Sequence, residues 1–428
     1  MNTPADILQD LTARGLLAQS TKGLEEHLST PRTLYCGFDP TADSLHIGSL
    51  VPLLTLRRFQ QYGHTPIVLV GGATGLIGDP SFKAQERQLN TEDTVQTWAE
   101  SLKQQTSRFV DFESQPNPAR MANNFDWTHT VSILGFLRDI GKHFSVNNLI
   151  GKEAIKSRLE REDSGISYTE FTYPLLQAYD FQQLFKNHAC TLQIGGSDQW
   201  GNMTAGTELI RKTIKQEDGS GAEAHVLTLP LVTKADGTKF GKTESGTIWL
   251  SAEKTSPYAF YQFWLNTADA DIANFVNYFS FKPLEEIKSL IAAHTANPGA
   301  REAAKTLAEE LTTLVHGEAA TTAAKRISEA LFSGNVENLT AEDYAQLAQD
   351  GLPTTKAEGE TTLTDALIAT NLASSKREAR EFIQNGAVQV NGQTMADTEH
   401  ALTRENAAHN AYHLLKRGKK LFALLQYI

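Results

Sequence analysis

The sequence predicts an α/β protein organised around a parallel β-sheet. The prediction rests on residues 33–80, which read as an apolar strand at Thr33–Phe38, an amphipathic helix at Ser49–Tyr62, a second apolar strand at Pro66–Val70 and a glycine-rich segment. Two apolar strands separated by a helix form a βαβ unit, the building block of parallel sheets. The chain has 428 residues, enough for about two to four domains of ordinary size.

The other elements follow from the same periodicities. They are a polar helix in the first 30 residues with breaks at Gly15 and Gly23, a mainly helical stretch over 84–190, a strand at Cys190–Ile194 with a helix after it, a strand and a Gly/Lys/Thr loop within 227–246, and Ala-rich helices from Pro257 to Phe332. Residues 331–360 contain six acidic residues and one basic residue, together with two glycines and a proline beyond position 350, which is typical of a linker.

Composition and charge are those of an ordinary globular chain. Hydrophobic residues are 40% and charged residues 21%, which excludes a disordered or collagen-like chain. The net charge of −11 argues against a nucleic-acid partner when it is taken over the whole chain. Cys36 and Cys190 lie far apart without a metal-binding spacing, so we expect neither a disulfide framework nor a metal site. The N-terminus lacks a signal-peptide pattern and no apolar run is long enough to span a bilayer, so we expect a soluble cytoplasmic protein without membrane contact.

A first candidate phosphate-binding segment is His46-Ile-Gly48-Ser49, at the point where the loop after the first strand leads into a helix. Helix N-terminal amides bind anions, and in an α/β sheet this point lies at the carboxyl end of a strand. His46 can donate a hydrogen bond to phosphate, and Gly48 lets a flat ligand approach the backbone. A capping loop with an incidental histidine is the alternative, which four residues alone do not exclude.

A second candidate is Lys239-Phe-Gly-Lys-Thr243. Two lysines three positions apart among glycines form a doubly cationic loop, which suits the charge that develops on a polyphosphate. The alternative is a solvated hairpin turn.

A third candidate is the polar stripe of Tyr173, Gln177 and Asp180 on an otherwise apolar helix. Spacings of four and seven place the three side chains within about 60° of one another around the helix axis. Such a stripe commonly faces water. Water-facing stripes are usually rich in Lys and Glu, whereas Tyr, Gln and Asp favour a ligand pocket.

These segments together resemble a known family. The runs CGFDPTADSLHIGS, GGATGLIGDPSFK, YPLLQAYDF, QIGGSDQWGN and KFGKT, in this order, are similar to those of bacterial tyrosyl-tRNA synthetases, which are class I aminoacyl-tRNA synthetases. HIGS and KFGKT stand for the class signatures usually written HIGH and KMSKS, and Ser49 replaces the second histidine. The resemblance implies a Rossmann-like parallel-sheet catalytic domain, an α-helical anticodon-binding domain and a small α+β RNA-binding domain at the C-terminus.

The domain boundaries that we expect are 1–250 for the catalytic domain, 251–335 for the helical domain, 336–360 for a linker and 361–428 for the C-terminal domain. Within the catalytic domain we expect an insertion at about 84–190, a dimer interface at about 120–165 and the KFGKT loop at 234–246.

The resemblance also implies roles for individual residues. The tyrosine-binding set contains the phenol partners Tyr35 and Asp180, the α-ammonium partners Asp79, Tyr173 and Gln177, Gln199 near the carboxyl end, and Asn124. The ATP-binding set is Asp39, His46, Gly48, Ser49, Gly195, Gly196, Asp198 and Lys242. The set that stabilises the transition state and the leaving pyrophosphate is Thr41, His46, Lys83, Arg87, Lys239, Lys242 and Thr243.

The implied activity is ligation of L-tyrosine to tRNA(Tyr) by a homodimer. ATP with Mg²⁺ is the co-substrate, and no prosthetic group or protein metal cage is expected. The α-carboxyl group of tyrosine is ionised at neutral pH, so it can attack ATP without a general base. The tryptophanyl relatives share the fold and the signatures, but Asp180 with Tyr35 favours a phenol over an indole. An RNA-binding protein that has lost catalysis is the other alternative, and the retained Thr41, His46 and Lys242 argue against it.

The C-terminal residues change the meaning of the net charge. Residues 361–428 have eight Lys+Arg against six Asp+Glu, whereas the other 360 residues carry a net charge of −13. The helix-turn-strand pattern from Ser374 to Gly392 resembles the RNA-binding domain named after ribosomal protein S-four. Its helix edge is cationic, which suits a phosphate backbone, although a solvated helix face is the alternative. The RNA-binding candidates are Lys376, Arg377, Arg380, Lys416, Arg417, Lys419 and Lys420.

Overall fold

The fold was analysed in a computed structural model, which describes residues 3–79, 90–152, 155–156, 159, 165–238, 240–243 and 246–428, with Lys242 and Thr243 described by their backbone only. These residues form two compact units. Unit 1 contains Met1–Leu250 and Asp269–Ala292, and unit 2 contains Ser251–Ala268 and Ala293–Ile428. The sequence-based boundary at 250 therefore marks only the first of three chain crossings between the units.

Unit 1 carries the predicted α/β pattern. Its helices are α1 (Ile7–Ala13), α2 (Leu24–His27), α3 (Leu50–Gln61), α4 (Thr74–Ile77), α5 (Glu92–Thr106), α6 (Phe125–Thr128), α7 (Ile133–Asp139), α8 (Val146–Ile150), α9 (Tyr168–His188), α10 (Trp200–Thr213) and, after the excursion into unit 2, α12 (Asp269–Phe279). Its strands are β1 (Gln19–Ser20), β2 (Thr33–Phe38), β3 (Thr65–Val70), β4 (Arg120–Asn123), β5 (Cys190–Gly196), β6 (His225–Leu229), β7 (Lys242–Thr243) and β8 (Gly246–Thr247).

The main sheet of unit 1 has six strands in the order β1-β6-β5-β2-β3-β4. The strands from β6 to β4 are parallel, and β1 is antiparallel to β6 at one edge. β2 is central because it pairs with both β3 and β5, with Tyr35 opposite Ile67 on one side and Gln193 on the other. The predicted parallel sheet is thus confirmed, while β1 and β4 were missed.

The helices that cover this sheet have apolar faces and capping residues that can be identified in the sequence. Leu50, Leu53, Leu54 and Phe59, the predicted apolar face of α3, are all buried. α9 begins where the Ser167 hydroxyl accepts a hydrogen bond from the Glu170 amide, and it ends at a residue in the left-handed conformation. α3 packs against β2, β3 and β5, and α9 packs against β5, so both helices contact the middle of the sheet.

Unit 2 begins with a helical part. Its helices are α11 (Pro257–Leu265), α14 (Glu302–His316) and α15 (Glu318–Ser333), and α13 (Leu284–Ala296) crosses the division between the units. α11 packs against α14 and α15. Leu307 and Leu311, one helical turn apart, are buried on α14, and Trp264 is buried on α11. The Ala-rich helices that the sequence predicts from Pro257 to Phe332 are confirmed.

The remainder of unit 2 is a small α+β fold, as predicted. Its helices are α16 (Ala341–Gln346), α17 (Leu363–Ala369) and α18 (Lys376–Gln384). Its strands are β9 (Thr354–Ala357), β10 (Thr361–Thr362), β11 (Val388–Val390), β12 (Gln393–Thr394), β13 (Ala401–Leu402), β14 (Tyr412–Arg417) and β15 (Leu421–Tyr427), and five of them form a sheet in the order β12-β11-β14-β15-β9.

The predicted linker over 336–360 requires correction, because it is folded. It contains α16 and β9, and β9 pairs in parallel with β15. Asp343 is fully buried, caps α16 by accepting from the Thr340 amide at 2.9 Å, and takes two hydrogen bonds from Arg326 at 2.8 and 2.7 Å. The acidic composition that suggested a linker thus includes a buried ion pair, which composition alone does not reveal.

Within the described ranges, no helix is long and apolar enough to cross a membrane.

The buried pair gives a stability prediction for the corrected segment. Asp343→Ala removes a helix cap and leaves Arg326 without its carboxylate, so we expect a loss of about 2–4 kcal/mol in local stability. Amide exchange of residues 341–357 should then accelerate by at least about 30-fold. Glu342→Ala is the matched control, since Glu342 is exposed on the same turn. Unchanged exchange in Asp343→Ala would contradict the structural role of the pair.

Candidate active site

The candidate site is a cavity of about 300 Å³ in unit 1, at the carboxyl ends of the parallel strands. From β2 the chain continues to β3 and β4 on one side of the sheet, and β5 and β6 lie on the other. Ligands of open α/β sheets bind in the crevice that this reversal of strand order creates. The residues that follow the ends of β2, β3 and β4, namely Asp39, Gly71 and Asn124, all line the cavity.

The structure brings most of the predicted site residues together. The cavity wall includes Tyr35, Asp39, Thr41, His46, Gly48, Ser49, Asp79, Asn124, Tyr173, Gln177, Asp180, Gly195, Gly196 and Gln199. Asp198 lines an adjoining cavity of about 300 Å³ that shares His46, Gly48 and Gly196 with the first. Lys83, Arg87 and Lys239 lie outside the described residues, and Lys242 and Thr243 are described only as the strand β7, which pairs with β8.

The innermost charged group of the cavity is Asp180, which is only 3% exposed. Asn124 Nδ2 donates to one carboxylate oxygen at 2.9 Å, and Trp127 Nε1 donates to the other at 2.8 Å. Burial raises the pKa of Asp180 to about 7, and the two donors oppose that rise because they stabilise the charged form. The predicted stripe on α9 therefore faces the cavity rather than water.

Several buried polar atoms of the cavity have no hydrogen-bond partner within the described part of the chain. They are the Tyr35 hydroxyl and the side-chain oxygens of Gln177 and Gln193. An unpaired buried polar atom costs about 1–3 kcal/mol, so it is usually paired in the working state of a protein. Burial, and then the charge of Asp180, raise the pKa of Tyr35 well above its usual value, so the hydroxyl keeps its proton. These atoms offer a ligand a donor and two acceptors.

A second carboxylate, Asp39, ties the glycine-rich loop to α9. Thr74 Oγ1 donates to Asp39 Oδ1 at 2.6 Å and the Tyr173 hydroxyl donates to Oδ2 at 2.7 Å. Gly71 is required here, because a Cβ at this position would lie 2.0 Å from Asp39 Oδ1. Burial, and then the charges of Asp39 and Asp79, raise the pKa of Tyr173 well above its usual value. Tyr173 is therefore a permanent donor to this carboxylate.

A third acidic group lies across the cavity. Gln199 Nε2 donates to Asp79 Oδ2 at 2.8 Å and to Asp198 Oδ2 at 3.3 Å, so one amide bridges two carboxylates. Burial raises the pKa of Asp198 from its usual value. Asp39, Asp79 and Asp180 together make the inner part of the cavity acidic, which suits a ligand with a cationic group.

The outer part of the cavity carries the predicted phosphate-binding groups. His46 Nδ1 accepts from the Gly48 amide at 3.0 Å, which leaves the proton of a neutral imidazole on Nε2, a donor that suits a phosphate oxygen. Thr41 and His46 are exposed, whereas Asp39 and Asp79 are half-buried and Asp180 is buried. The adjoining cavity adds the apolar side chains of Val51, Leu229 and Leu231. A flat aromatic base fits such a lining.

The two signature segments are joined by their backbones. The Ile47 amide donates to the Ile248 carbonyl at 2.9 Å, and the Ile248 amide donates to the Gly241 carbonyl at 3.1 Å. Gly241 has a positive φ of 81°, and a Cβ there would lie 2.4 Å from Ile47 Cγ2. A glycine in the second segment is thus a requirement of its contact with the first. HIGS and KFGKT lie 193 positions apart in sequence but form one wall.

The RNA-binding candidates lie in unit 2 and are largely exposed. Lys376 pairs with Asp365 at 2.8 Å and Arg380 with Glu399 at 3.4 Å, both as surface ion pairs, which contribute little energy and can be exchanged for phosphate. Arg417 stacks over Phe382 of α18, with 4.8 Å between the guanidinium carbon and the ring centroid. This contact places the end of β14 beside the basic helix. Arg377, Lys419 and Lys420 are exposed, and Lys416 stacks over Phe422.

Comparison with known proteins decides the family. Residues 28–333 match the family described as tRNA synthetases class I (W and Y), and residues 343–425 match the Tyrosine--tRNA ligase SYY-like C-terminal domain. A Tyrosine--tRNA ligase of Aliivibrio fischeri is 58% identical over 99% of both chains, and one of Chromobacterium violaceum is 58% identical over 99% of this chain and 100% of the relative. The chain belongs to the tyrosine–tRNA ligase family. Enzymes of this class activate an amino acid with ATP and charge tRNA, and the chain is a ligase of this kind.

Solved structures agree with this assignment of the ligase. A C-terminally truncated mitochondrial tyrosyl-tRNA synthetase of Aspergillus nidulans has a TM-score of 0.68 at 29% identity, and the match covers 76% of this chain and 94% of that one. A tyrosyl-tRNA synthetase of Archaeoglobus fulgidus, complexed with L-tyrosine, has a TM-score of 0.53 at 16% identity and covers 75% of this chain and 99% of that one, which shows a shared fold. The full-length relatives favour the tyrosyl over the tryptophanyl branch of the family.

Some residues of the ligase site were missed from sequence. Cys36 and Gln193 line the cavity from strands β2 and β5, and Gln193 is the register partner of Tyr35, a pairing between strands that the sequence alone does not give. Thr74 lies in the quoted glycine-rich run and was not singled out. Trp127 follows β4, a strand that was also missed, and its contact with Asp180 spans 53 positions of sequence. A local sequence pattern does not predict a contact between residues that far apart.

The state of Asp180 gives a pH prediction for the ligase. As a carboxylate, Asp180 accepts from Asn124 and Trp127 and can accept from a third donor, whereas protonation removes its charge and part of its acceptor capacity. Tyrosine affinity should therefore fall as the pH is lowered through about 7, the pKa of Asp180. Trp127→Phe removes a donor that stabilises the carboxylate, so it should shift the midpoint upwards.

The measurement is the dissociation constant of tyrosine by calorimetry, from about pH 5.5 to 8.5, on both sides of the Asp180 pKa. Asp180→Asn should make the profile flat. A wild-type profile without a transition, or a midpoint that Trp127→Phe moves downwards, would show that Asp180 does not control binding.

Proposed function

We propose that the chain ligates L-tyrosine to tRNA(Tyr) in two steps and that the cavity of unit 1 performs the first. The observation that carries the substrate assignment is that the cavity wall has both a buried carboxylate, Asp180, and a buried hydroxyl without a hydrogen-bond partner, that of Tyr35. The phenol hydroxyl of the substrate can donate to the Asp180 carboxylate and accept from the Tyr35 hydroxyl. Phenylalanine would leave both groups unpaired, at a cost of about 1–3 kcal/mol for a neutral group and more for a charge.

The α-ammonium group of the substrate would lie in the acidic inner part of the cavity. Asp79 supplies a charged acceptor, and the unpaired Gln177 oxygen supplies a neutral one. Tyr173 would act in part through Asp39, to which its hydroxyl donates. Gln199, which bridges Asp79 and Asp198, would lie near the substrate carboxylate. This arrangement leaves the carboxylate directed towards the outer, phosphate-binding part.

In the first step a tyrosine carboxylate oxygen attacks the α-phosphorus of ATP. The new bond joins that oxygen to the α-phosphorus, the bond to the bridging oxygen of the β-phosphate breaks, and pyrophosphate leaves with the electron pair. No proton has to be removed, since the carboxylate is ionised. The protein contributes alignment and charge neutralisation. We assign these tasks to Thr41 and His46, together with Lys83, Arg87, Lys239, Lys242 and Thr243 from the signature loops.

ATP would bind with its base in the adjoining cavity and its ribose near Asp198. The small residues Gly48, Ser49, Gly195 and Gly196 let the nucleotide approach the backbone. We propose that Mg²⁺ enters as the ATP complex. In the described ranges no group of three or more His, Cys, Asp or Glu side chains could hold a metal ion, so the phosphates would supply its ligands. When bound, Mg²⁺ would neutralise part of the negative charge of the phosphates.

In the second step a ribose hydroxyl of the tRNA 3′-terminal adenosine attacks the tyrosyl carbonyl carbon, and AMP leaves. We propose that unit 2 binds the tRNA, with the helical part towards the anticodon and the basic residues on α18 and at the end of β14 on phosphates. The stacking of Arg417 on Phe382 supports this proposal because it keeps one guanidinium beside the basic helix. Phosphate contacts of this kind orient RNA without reading its sequence.

We further propose a homodimer in the cytoplasm. The predicted interface, about 120–165, contains a group of exposed apolar side chains on α7 and α8. Ile133 and Leu134 are 80% and 79% exposed, and Val146 and Ile150 are also exposed. Contiguous apolar patches of this type mark interaction surfaces. The two cysteines are buried and free, in keeping with a reducing compartment.

Exchange of labelled pyrophosphate into ATP tests the first step and the substrate together. Exchange should require tyrosine, and phenylalanine or tryptophan should not replace it. Asp180→Asn should lower kcat/KM for tyrosine by about 10- to 100-fold, the value of a charged hydrogen bond, while KM for ATP stays within about twofold. Asp93→Asn, an exposed aspartate on α5, is the matched control. Tryptophan-dependent exchange, or unaltered tyrosine kinetics in Asp180→Asn, would refute the assignment.

Sedimentation tests the dimer. The wild type should sediment at about twice the 47.0 kDa chain mass, and Ile133→Asp with Leu134→Asp should yield monomers because two charges would be buried in the interface. Phe332→Asp is the control, since Phe332 is 95% exposed but is not among the residues of the predicted interface. A wild-type monomer, or a dimer that survives the double substitution, counts against the proposal.

A further inference from the structure

The helix α12 contacts the described part of the KFGKT loop at two points. The ring of Phe240 lies 5.1 Å from the ring of Phe275 and 5.4 Å from that of Phe279, measured between centroids. The Phe275 pair is edge-on at 73° and the Phe279 pair is nearly parallel at 20°. These are favourable geometries for aromatic pairs. Phe275 and Phe279 also contact each other at 6.0 Å between ring centroids, so the second residue of the motif packs against a pair of aromatic rings on one helix face.

The same helix holds the loop at a second point. Asp271 Oδ1 accepts from the Ala235 amide at 2.7 Å. Asp271 is buried, although it is charged and lies in the first turn of the helix. Asp271, Phe275 and Phe279 are spaced by four residues, so they form one stripe along α12. We call these three residues the α12 stripe. It fixes Ala235 and Phe240, which flank the segment that carries Lys239.

Phe240 also belongs to the nucleotide side of the site. It lines the adjoining cavity together with His46 and Asp198. Its neighbour Gly241 packs against Ile47 and accepts from the Ile248 amide. Phe240 therefore has the proposed ATP cavity on one side and the α12 stripe on the other. A shift of its ring would displace the backbone from which the adjacent lysines extend.

The helix that carries the stripe is held within unit 1 by contacts just beyond its C-terminal end. The Ser280 carbonyl, just beyond the end of α12, accepts from Arg58 Nη2 at 2.6 Å and from Arg14 Nη1 at 3.0 Å. Arg58 also stacks over Phe281 at 4.4 Å, and both arginines pair with the buried Asp10. α12 packs on α3, the helix that follows HIGS. The α12 stripe thus links the KFGKT segment to α3, the helix that follows HIGS.

We propose that Asp271, Phe275 and Phe279 are positioning residues for adenylate formation, acting through Ala235 and Phe240. This inference rests on the proposed function of the cavity. The stripe acts on Ala235 and Phe240, and through them on the motif whose lysines are assigned to the leaving pyrophosphate. The α12 stripe touches neither the tyrosine cavity nor the substrate groups assigned to it, so it affects the ATP step and leaves tyrosine binding unchanged.

The test uses a pair of variants at Asp271 in the full-length chain. Asp271→Ala removes the acceptor for the Ala235 amide, whereas Asp271→Asn keeps an oxygen in the same place. We expect Asp271→Ala to lower kcat for tyrosine-dependent pyrophosphate exchange by about 10- to 100-fold, as misplacement of a catalytic group by about 1 Å does. The tyrosine dissociation constant should stay within about twofold, and Asp271→Asn should restore most of the rate.

A double-mutant cycle tests the aromatic contact. Phe240→Leu and Phe275→Leu should have non-additive effects on kcat, because each removes the same ring pair. Phe275→Leu and Trp127→Phe should be additive, since Trp127 acts on Asp180 in the tyrosine cavity. Amide exchange in residues 233–238 should accelerate in Asp271→Ala even without substrates, which gives a readout that does not depend on activity.

The outcomes separate the possible failures. If Asp271→Ala lowers tyrosine binding and kcat to the same extent, or if Asp271→Asn is as impaired as Asp271→Ala, the stripe has a general structural role and the inference is wrong. Additive effects of Phe240→Leu and Phe275→Leu would also overturn it. Absence of tyrosine-dependent exchange in the wild type would instead refute the proposed function, while the amide exchange would still report on the loop contact.

Discussion

The burial of one carboxylate determines much of the architecture around the cavity. An ionised Asp180 at this depth is costly unless donors surround it, and the donors come from the region just after β4. Asn124 serves twice, because its side-chain oxygen also accepts from the Ala73 amide at 2.7 Å in the glycine-rich loop. The end of β4, the loop after β3 and the middle of α9 are therefore fixed relative to one another by a single side chain. A change in any of these three segments alters the hydrogen bonding around the Asp180 carboxylate.

The cavity separates charges along its length, and this separation explains why one site can take two very different ligands. The carboxylates Asp39 and Asp79, which are half-buried, and Asp180, which is buried, line its inner wall, where they suit an ammonium group and a phenol. Thr41 and His46 lie at its outer end, where they suit phosphates. An amino acid placed between them would present its own anionic end to the outer groups. The reaction proposed for the cavity follows from that polarity, since the nucleophile and the phosphorus meet at the boundary between the two parts.

The sequence predicted those parts of the structure that depend on local pattern. β2 and β3 are largely apolar, β5 alternates apolar and polar residues, and the buried face of α3 follows a helical period, so each was placed within a few residues. β4 was missed because its four residues, Arg120–Asn123, include two polar ones and no long apolar run, and the strand lies at the edge of the sheet. Trp127 and the α12 stripe were missed because their contacts join segments far apart in the chain. The acidic segment at 336–360 looked like a linker because composition does not show that Asp343 finds Arg326.

The path of the chain between the units has a consequence for how the protein is made. Unit 1 is not complete at residue 250, because Asp269–Ala292 also belongs to it. During synthesis the first 250 residues emerge before the helix that packs on α3 and supplies the Ser280 carbonyl to two buried arginines. Until then Arg14 and Arg58 have their shared carboxylate, Asp10, but lack the backbone acceptor. The ribosome must therefore deliver part of unit 2 before unit 1 can close, which makes the folding of the two units interdependent in time.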